Sequence, residues 1–196
     1  MSNSKQKTKN TAVVGMFVAI IIVLQLLSYF IKIGTFNLSL VLVPIILVAC
    51  MFGKKLGALM GAIFGVVVVI CCMVGLDAGG FILFSANPIL CSLICIIKGA
   101  AAGFFAGLVN QPFKNKDNDF IGVVLAGVVA PLANTGLFLV GLAVCFKDIL
   151  YSWAGGTNIA YYMIFGLCGI NFIIELVLNL VMSTAVSRVI KAVKRI

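Results

Sequence analysis

The chain has 196 residues, of which 63% are hydrophobic and 10% charged, against about 25% charged in a soluble domain, and its mean hydropathy is +1.27. That leaves too little polar surface to face water on all sides, which excludes a soluble globular fold, and a chain of this length has no room for a soluble catalytic module beside a membrane domain. The formal net charge of +9 does not indicate nucleic-acid binding, because the basic residues punctuate apolar runs and form no stripe or patch.

A hydrocarbon core of about 30 Å takes about 20 apolar residues per helix, and the charged residues cut the chain into pieces of that size. Lys5, Lys7 and Lys9 precede the first span, over 11–31. This run exceeds the roughly 7–15 apolar residues of a signal-peptide core, and no small-x-small cleavage site follows it, so it reads as a retained span. Residues 32–38 form a short polar turn. A second span covers 39–52 and ends at Gly53-Lys54-Lys55; a third covers 56–76 and stops at Asp77-Ala78-Gly79-Gly80. The stretch 81–88 is amphipathic and lies at the surface or re-enters. The fourth span, 88–110, leads into the clearly hydrophilic loop 111–119. A fifth span covers 120–146, a loop follows over 147–158, and a sixth span covers 159–187. The expected architecture is an all-α integral membrane protein, a bundle of six transmembrane helices. It comprises a basic segment 1–10, a membrane domain 11–187 and a basic tail 188–196.

Orientation follows from the Lys and Arg of the short loops. With the N-terminus inside, the inner segments hold eleven of the fourteen basic residues, the outer loops hold Lys32 and Lys147, and Lys98 falls inside the fourth span. Both termini are therefore expected on the cytoplasmic side. All four tyrosines, Tyr29, Tyr151, Tyr161 and Tyr162, and the single Trp153 fall toward the outer face. Such a one-sided cluster marks either an interfacial belt or an outward-facing site. The seven cysteines lie in apolar stretches, with no Cys-x-x-Cys and no histidine anywhere. They read as small apolar packing residues, and no metal site is expected.

Small residues recur every fourth position in three spans: Thr11, Gly15 and Ala19; Gly57, Gly61 and Gly65; Gly99, Gly103 and Gly107. Each ladder lies on one helix face and lets another backbone approach closely. In spans three and four the expected role is packing inside the bundle. The first ladder sits at the cytoplasmic end, where a partner protein can reach it.

Ionisable residues inside a membrane cost about 2.5–3.5 kcal/mol each on insertion scales, and two are expected there, Lys98 and Glu175. Each lies twelve residues before the inner end of its span, about 18 Å above the cytoplasmic edge at about 1.5 Å per residue. Opposite charges at matching depth are positioned to pair. Asn171 and Asn179 flank Glu175 by one turn on either side, and Asn134 falls at about 21 Å. This group is either a buried brace that fixes helix register or the floor of a solute pocket beneath Trp153, Tyr161 and Tyr162.

In order and spacing, these features resemble a known family. They are Gly15-x-x-x-Ala19, Leu42-Val43-Pro44-Ile45-Ile46, Gly53-Lys54-Lys55-Leu56-Gly57-Ala58, Asn87-Pro88, Lys98-Gly99-x-x-Ala102-Gly103, Asn134-Thr135 with Gly141, and Asn171-x-x-x-Glu175. Taken together over nearly the whole chain, they resemble the substrate-binding S-components of energy-coupling factor (ECF) vitamin transporters. The resemblance implies a multi-pass protein of a bacterial plasma membrane that captures a water-soluble vitamin or related small molecule from outside. It implies docking of the first span, through Thr11, Gly15 and Ala19, on a membrane coupling subunit that works with two cytoplasmic ATPases. It also adds Asn87 to the candidate ligand contacts. The chain has no Gly-x-x-x-x-Gly-Lys-Ser/Thr phosphate loop, so ATP use falls to partners, and no cofactor is expected. Two rivals stand beside this. A solitary secondary carrier would ordinarily show internal repeats and broken helices, and no convincing repeat is visible. An intramembrane enzyme would need a paired acid–base or nucleophile–base set, and none of the common kinds is present.

Overall fold

The computed structural model describes residues 2–29, 32–33, 36–37, 40–114 and 119–194. Helix α1 runs Ser2–Ser28. A two-residue antiparallel pair follows, β1 (Lys32–Ile33) and β2 (Phe36–Asn37), with Lys32 opposite Asn37. Then come α2 (Leu42–Phe52), α3 (Lys54–Met73), α4 (Ala78–Ala86) and α5 (Pro88–Asn110). A 3-10 turn at Gln111–Phe113 precedes α6 (Asp119–Cys145) and α7 (Lys147–Ala154). Helix α8 (Ile159–Tyr161) passes into a π-helical segment, Tyr162–Cys168, and then α9 (Gly169–Lys194).

By length and composition, α3, α5 with its 3-10 extension, and α6 can each cross a membrane, and the pair Ile159–Leu167 and Phe172–Arg188, meeting at 45°, offers a fourth crossing. Val14–Ser28 and Leu42–Phe52 are shorter apolar helices. The described surface is rich in large apolar side chains such as Met16, Val23, Ile70, Ile97, Val140 and Val181. Exposed apolar surface on this scale fits a lipid solvent.

Helix ends follow local chemistry. Helix α5 starts where the sequence predicts, because Asn87 Oδ1 accepts a hydrogen bond from the Leu90 N–H at 3.1 Å and Pro88 occupies the first turn. Asp77 does the same for α4, accepting from the Gly80 N–H at 3.1 Å. The amphipathic stretch after the third span is thus part of a capped helix, and the expected loop 147–158 contains α7. The sixth span is not one continuous helix. It breaks at Gly169, whose φ of +36° lies in the left-handed region.

The centre of the molecule is the α3–α5 contact. Gly57 lies opposite Gly103 and Gly61 opposite Gly99, and Gly65 lies against Cys95. A Cβ added at Gly61 would fall on the Gly99 carbonyl, and one at Gly103 on the Gly57 carbonyl. Glycine is needed here because the two backbones themselves touch. The ladders of spans three and four therefore pack against each other inside the bundle. On its other side α5 meets α6, with Gly141 against the Ile94 side chain. Helix α6 in turn meets α9, with Gly127 against the Asn179 backbone.

Candidate functional site

Between these helices, in the half of the bundle that holds α4 and α7, lies a cavity of about 460 Å³. Its size falls in the range of small-molecule sites, roughly 300–1,000 Å³. The rigid α3–α5 pair forms one wall, with Phe64, Val68 and Cys72 from α3 and Cys91, Cys95 and Lys98 from α5. Helix α6 contributes Asn134, Thr135 and Phe138, and α9 contributes Phe172 and Glu175. The α4 start, Trp153 of α7 and Tyr162 line the end farthest from the α5–α6 turn. Gly79 lies beside the tryptophan, in the same stretch of lining.

Five of the residues singled out from the sequence, Lys98, Asn134, Glu175, Trp153 and Tyr162, come from five separate elements and converge on this one cavity. Lys98 and Glu175 do not pair directly. Among the described residues no ion pair joins them; the Lys98 ammonium lies over the Phe138 ring, 4.5 Å from its centroid, a cation–π geometry. Glu175 Oε1 and Asn134 Oδ1 are buried without a hydrogen-bond partner among the described residues. Leaving such a group unsatisfied costs about 1–3 kcal/mol.

Other singled-out residues stand apart from the cavity. Asn87 is occupied in capping α5. Tyr161 is exposed and packs on Phe165, ring centroids 4.8 Å apart. Neighbouring helical residues point about 100° apart, so Tyr161 and Tyr162 do not share a face. Asn179 serves its own helix, its Nδ2 donating to the Glu175 carbonyl at 2.8 Å. The side chains of Thr11 and Asn171 lie outside the described residues. Gly15 and Ala19 are exposed on α1, and a Cβ on Gly15 would meet nothing within 4 Å. They sit on the side away from Phe17 and Ile21, which are buried against the bundle.

Several lining groups have no assigned part in the sequence reading, and Tyr29 enters it only among the outer-face aromatics. Gln25 and Tyr29 of the first span reach the cavity together, Gln25 Nε2 donating to the Tyr29 hydroxyl at 2.9 Å. Asp77 reaches it from the α4 cap. The thiols of Cys72, Cys91 and Cys95 also line it, all within 4.8 Å of one another. The available signal was Cys91 and Cys95, one turn apart on one face of α5; the third thiol arrives only through tertiary packing.

A helical bundle with a mixed polar and aromatic cavity suits a solute-capturing membrane subunit. The family described as ECF transporter, substrate-specific component, matches residues 9–187. The chain belongs to this family. Among curated proteins none matches the sequence. Substrate-specific components are membrane proteins that bind small molecules and work with the partners of an ECF module. The cavity of this S-component, at about 460 Å³, is large enough for such a molecule.

Proposed function

We propose that this S-component spans a bacterial plasma membrane six times, with both termini cytoplasmic, and captures a water-soluble, vitamin-like molecule from outside. The membrane domain is 11–187, flanked by the basic segments 1–10 and 188–196. Lys98, Asn134 and Glu175 hold polar groups of the cargo, and Trp153 and Tyr162 cover it from the outer end. The chain performs no chemistry on its cargo. It docks on a membrane coupling subunit through the α1 face of Thr11, Gly15 and Ala19, and two cytoplasmic ATPases supply the energy for release inside. The observation that carries this is the convergence of a lysine, a glutamate and an asparagine, the latter two with unpartnered acceptors, on a cavity of about 460 Å³.

One observation favours a second reading, a gradient-driven carrier. The sixth span is broken at 45° beside a π-helical segment, and carriers often place such breaks at the binding site. In those folds the break recurs in an inverted partner; among the described residues no second pair of apolar helices is bent in this way. Reconstitution separates the two. The purified chain in liposomes, given the labelled molecule extracted from it and an imposed proton or sodium gradient, should bind without accumulating it. Addition of the coupling subunit and ATPases with internal ATP should start uptake. Accumulation by the chain alone would establish the carrier and overturn the S-component mechanism.

A further inference from the structure

We propose that Cys72, Cys91 and Cys95 form a three-thiolate site for a divalent thiophilic cation of the zinc and cadmium class, its fourth coordination position open to the cavity. This does not depend on which molecule is captured. The three sulfurs lie within 4.8 Å of one another. Metal–thiolate bonds of about 2.3 Å put tetrahedral ligand sulfurs about 3.8 Å apart, so small rotamer shifts close the cluster around an ion. The cysteines are free and almost wholly shielded, at 1%, 2% and 4% exposure. All three nonetheless line the cavity, which gives an ion its path and its open position.

Their placement is rigid. Cys95 sits in the glycine-lined seam, against Gly65, and Cys91 follows one turn nearer the α5 start. Cys72 stands near the end of α3 and packs against Gly80 of α4. Cys91 Sγ lies 3.9 Å from the Gly80 carbonyl, so all three sulfurs gather where α3, α4 and α5 meet. Two helices locked by backbone contact thus hold three soft donors in advance, as a metal site needs.

Charge selects the class of ion. Three thiolates with a divalent cation carry a net single negative charge. Lys98, three residues beyond Cys95 on α5 and lining the same cavity, offsets it. A monovalent ion would leave more negative charge uncompensated than a divalent one. Asp77 and Glu175, the acidic residues lining the cavity, also favour a cation. Thiolate ligands exclude magnesium and calcium, which prefer oxygen. A search for local motifs misses this site because Cys72 is nineteen residues from Cys91.

The test uses the full-length chain in detergent, reduced and then freed of reductant without oxygen, and titrated with cadmium(II). The thiolate-to-cadmium charge-transfer absorption should saturate at one cadmium per chain, and zinc(II) should displace it. Cys72→Ser, Cys91→Ser and Cys95→Ser should each weaken binding by at least the roughly 10- to 100-fold loss that outer-shell changes already bring. Cys145→Ser, at an exposed cysteine, should leave it unchanged. X-ray absorption at the cadmium edge of the unmodified protein should report three sulfur neighbours, a readout that needs no variant to fold. A shell of oxygen and nitrogen alone, or a triple serine variant that binds cadmium as tightly as the parent, would overturn the site.

Discussion

Lys98 and Glu175 decide whether the polar centre holds cargo or merely holds helices. In a brace the two charges would satisfy each other, and losing one would cost about 3–5 kcal/mol. The lysine instead lies over Phe138 and the glutamate oxygen has no partner among the described residues. Glu175→Gln should therefore leave the thermal midpoint within a few degrees of the parent, while ligand affinity falls. Loss of a charge-assisted hydrogen bond costs about 1.5–3 kcal/mol, or roughly ten- to a hundredfold in Kd. Isothermal titration and a melt on the same sample check both halves; a large fall in stability at unchanged affinity would restore the brace. Trp153→Ala should weaken binding by a similar factor without reducing membrane insertion, measured by the yield of folded monomer on gel filtration, because its ring covers the cavity rather than filling the helix seam. At this scale residue type was legible in the sequence: lysine, asparagine and glutamate are too expensive inside lipid to be there idly. Direction was not. Sequence spacing puts Tyr161 and Tyr162 together, whereas the helix turns Tyr161 outward onto Phe165. Asn87 reads as a ligand contact until its capping bond is seen.

Among the elements, the α3–α5 seam and α1 make opposite predictions from the same small-residue pattern. Gly61→Val places a side chain on the Gly99 backbone, and overpacking of this kind costs about 1–3 kcal/mol or more. It should lower the thermal midpoint clearly, whereas Gly136→Val, with no atom within 4 Å of its added Cβ, should not. Gly15 is as unhindered as Gly136. Gly15→Trp or Ala19→Trp should accordingly leave folding and ligand binding intact and abolish both uptake and co-purification with the ATPase module. Loss of ligand binding in these variants would make the α1 face internal. Element boundaries were legible wherever polar chemistry punctuates the chain, as at Asn87-Pro88 and Gly53-Lys54. The break at Gly169 was hidden because it lies inside an apolar run with no charge to mark it. Glycine there looks like the many glycines that serve packing, and only its positive φ tells it apart. The start of α1 at Ser2 likewise escaped a reading by hydropathy, because its first turns are polar.

Over the whole molecule, the membrane class follows from composition alone, since 63% hydrophobic residues admit no water-facing arrangement. The cavity does not follow from composition. It arises because glycine seams draw α3, α5 and α6 together while α4, α7 and the bent Ile159–Arg188 pair close around one end. The same packing brings Cys72 to Cys91 and Cys95, a grouping that no linear spacing encodes. The central claim is that this cavity captures one kind of small organic molecule. Its most direct test is mass spectrometry of the small molecules released from the purified chain, compared with those from the folded Lys98→Met/Glu175→Gln variant. The parent should yield one organic solute in near-stoichiometric amount, and the variant should lose most of it. No enriched solute in the parent, or equal retention by the variant, would contradict capture at this cavity.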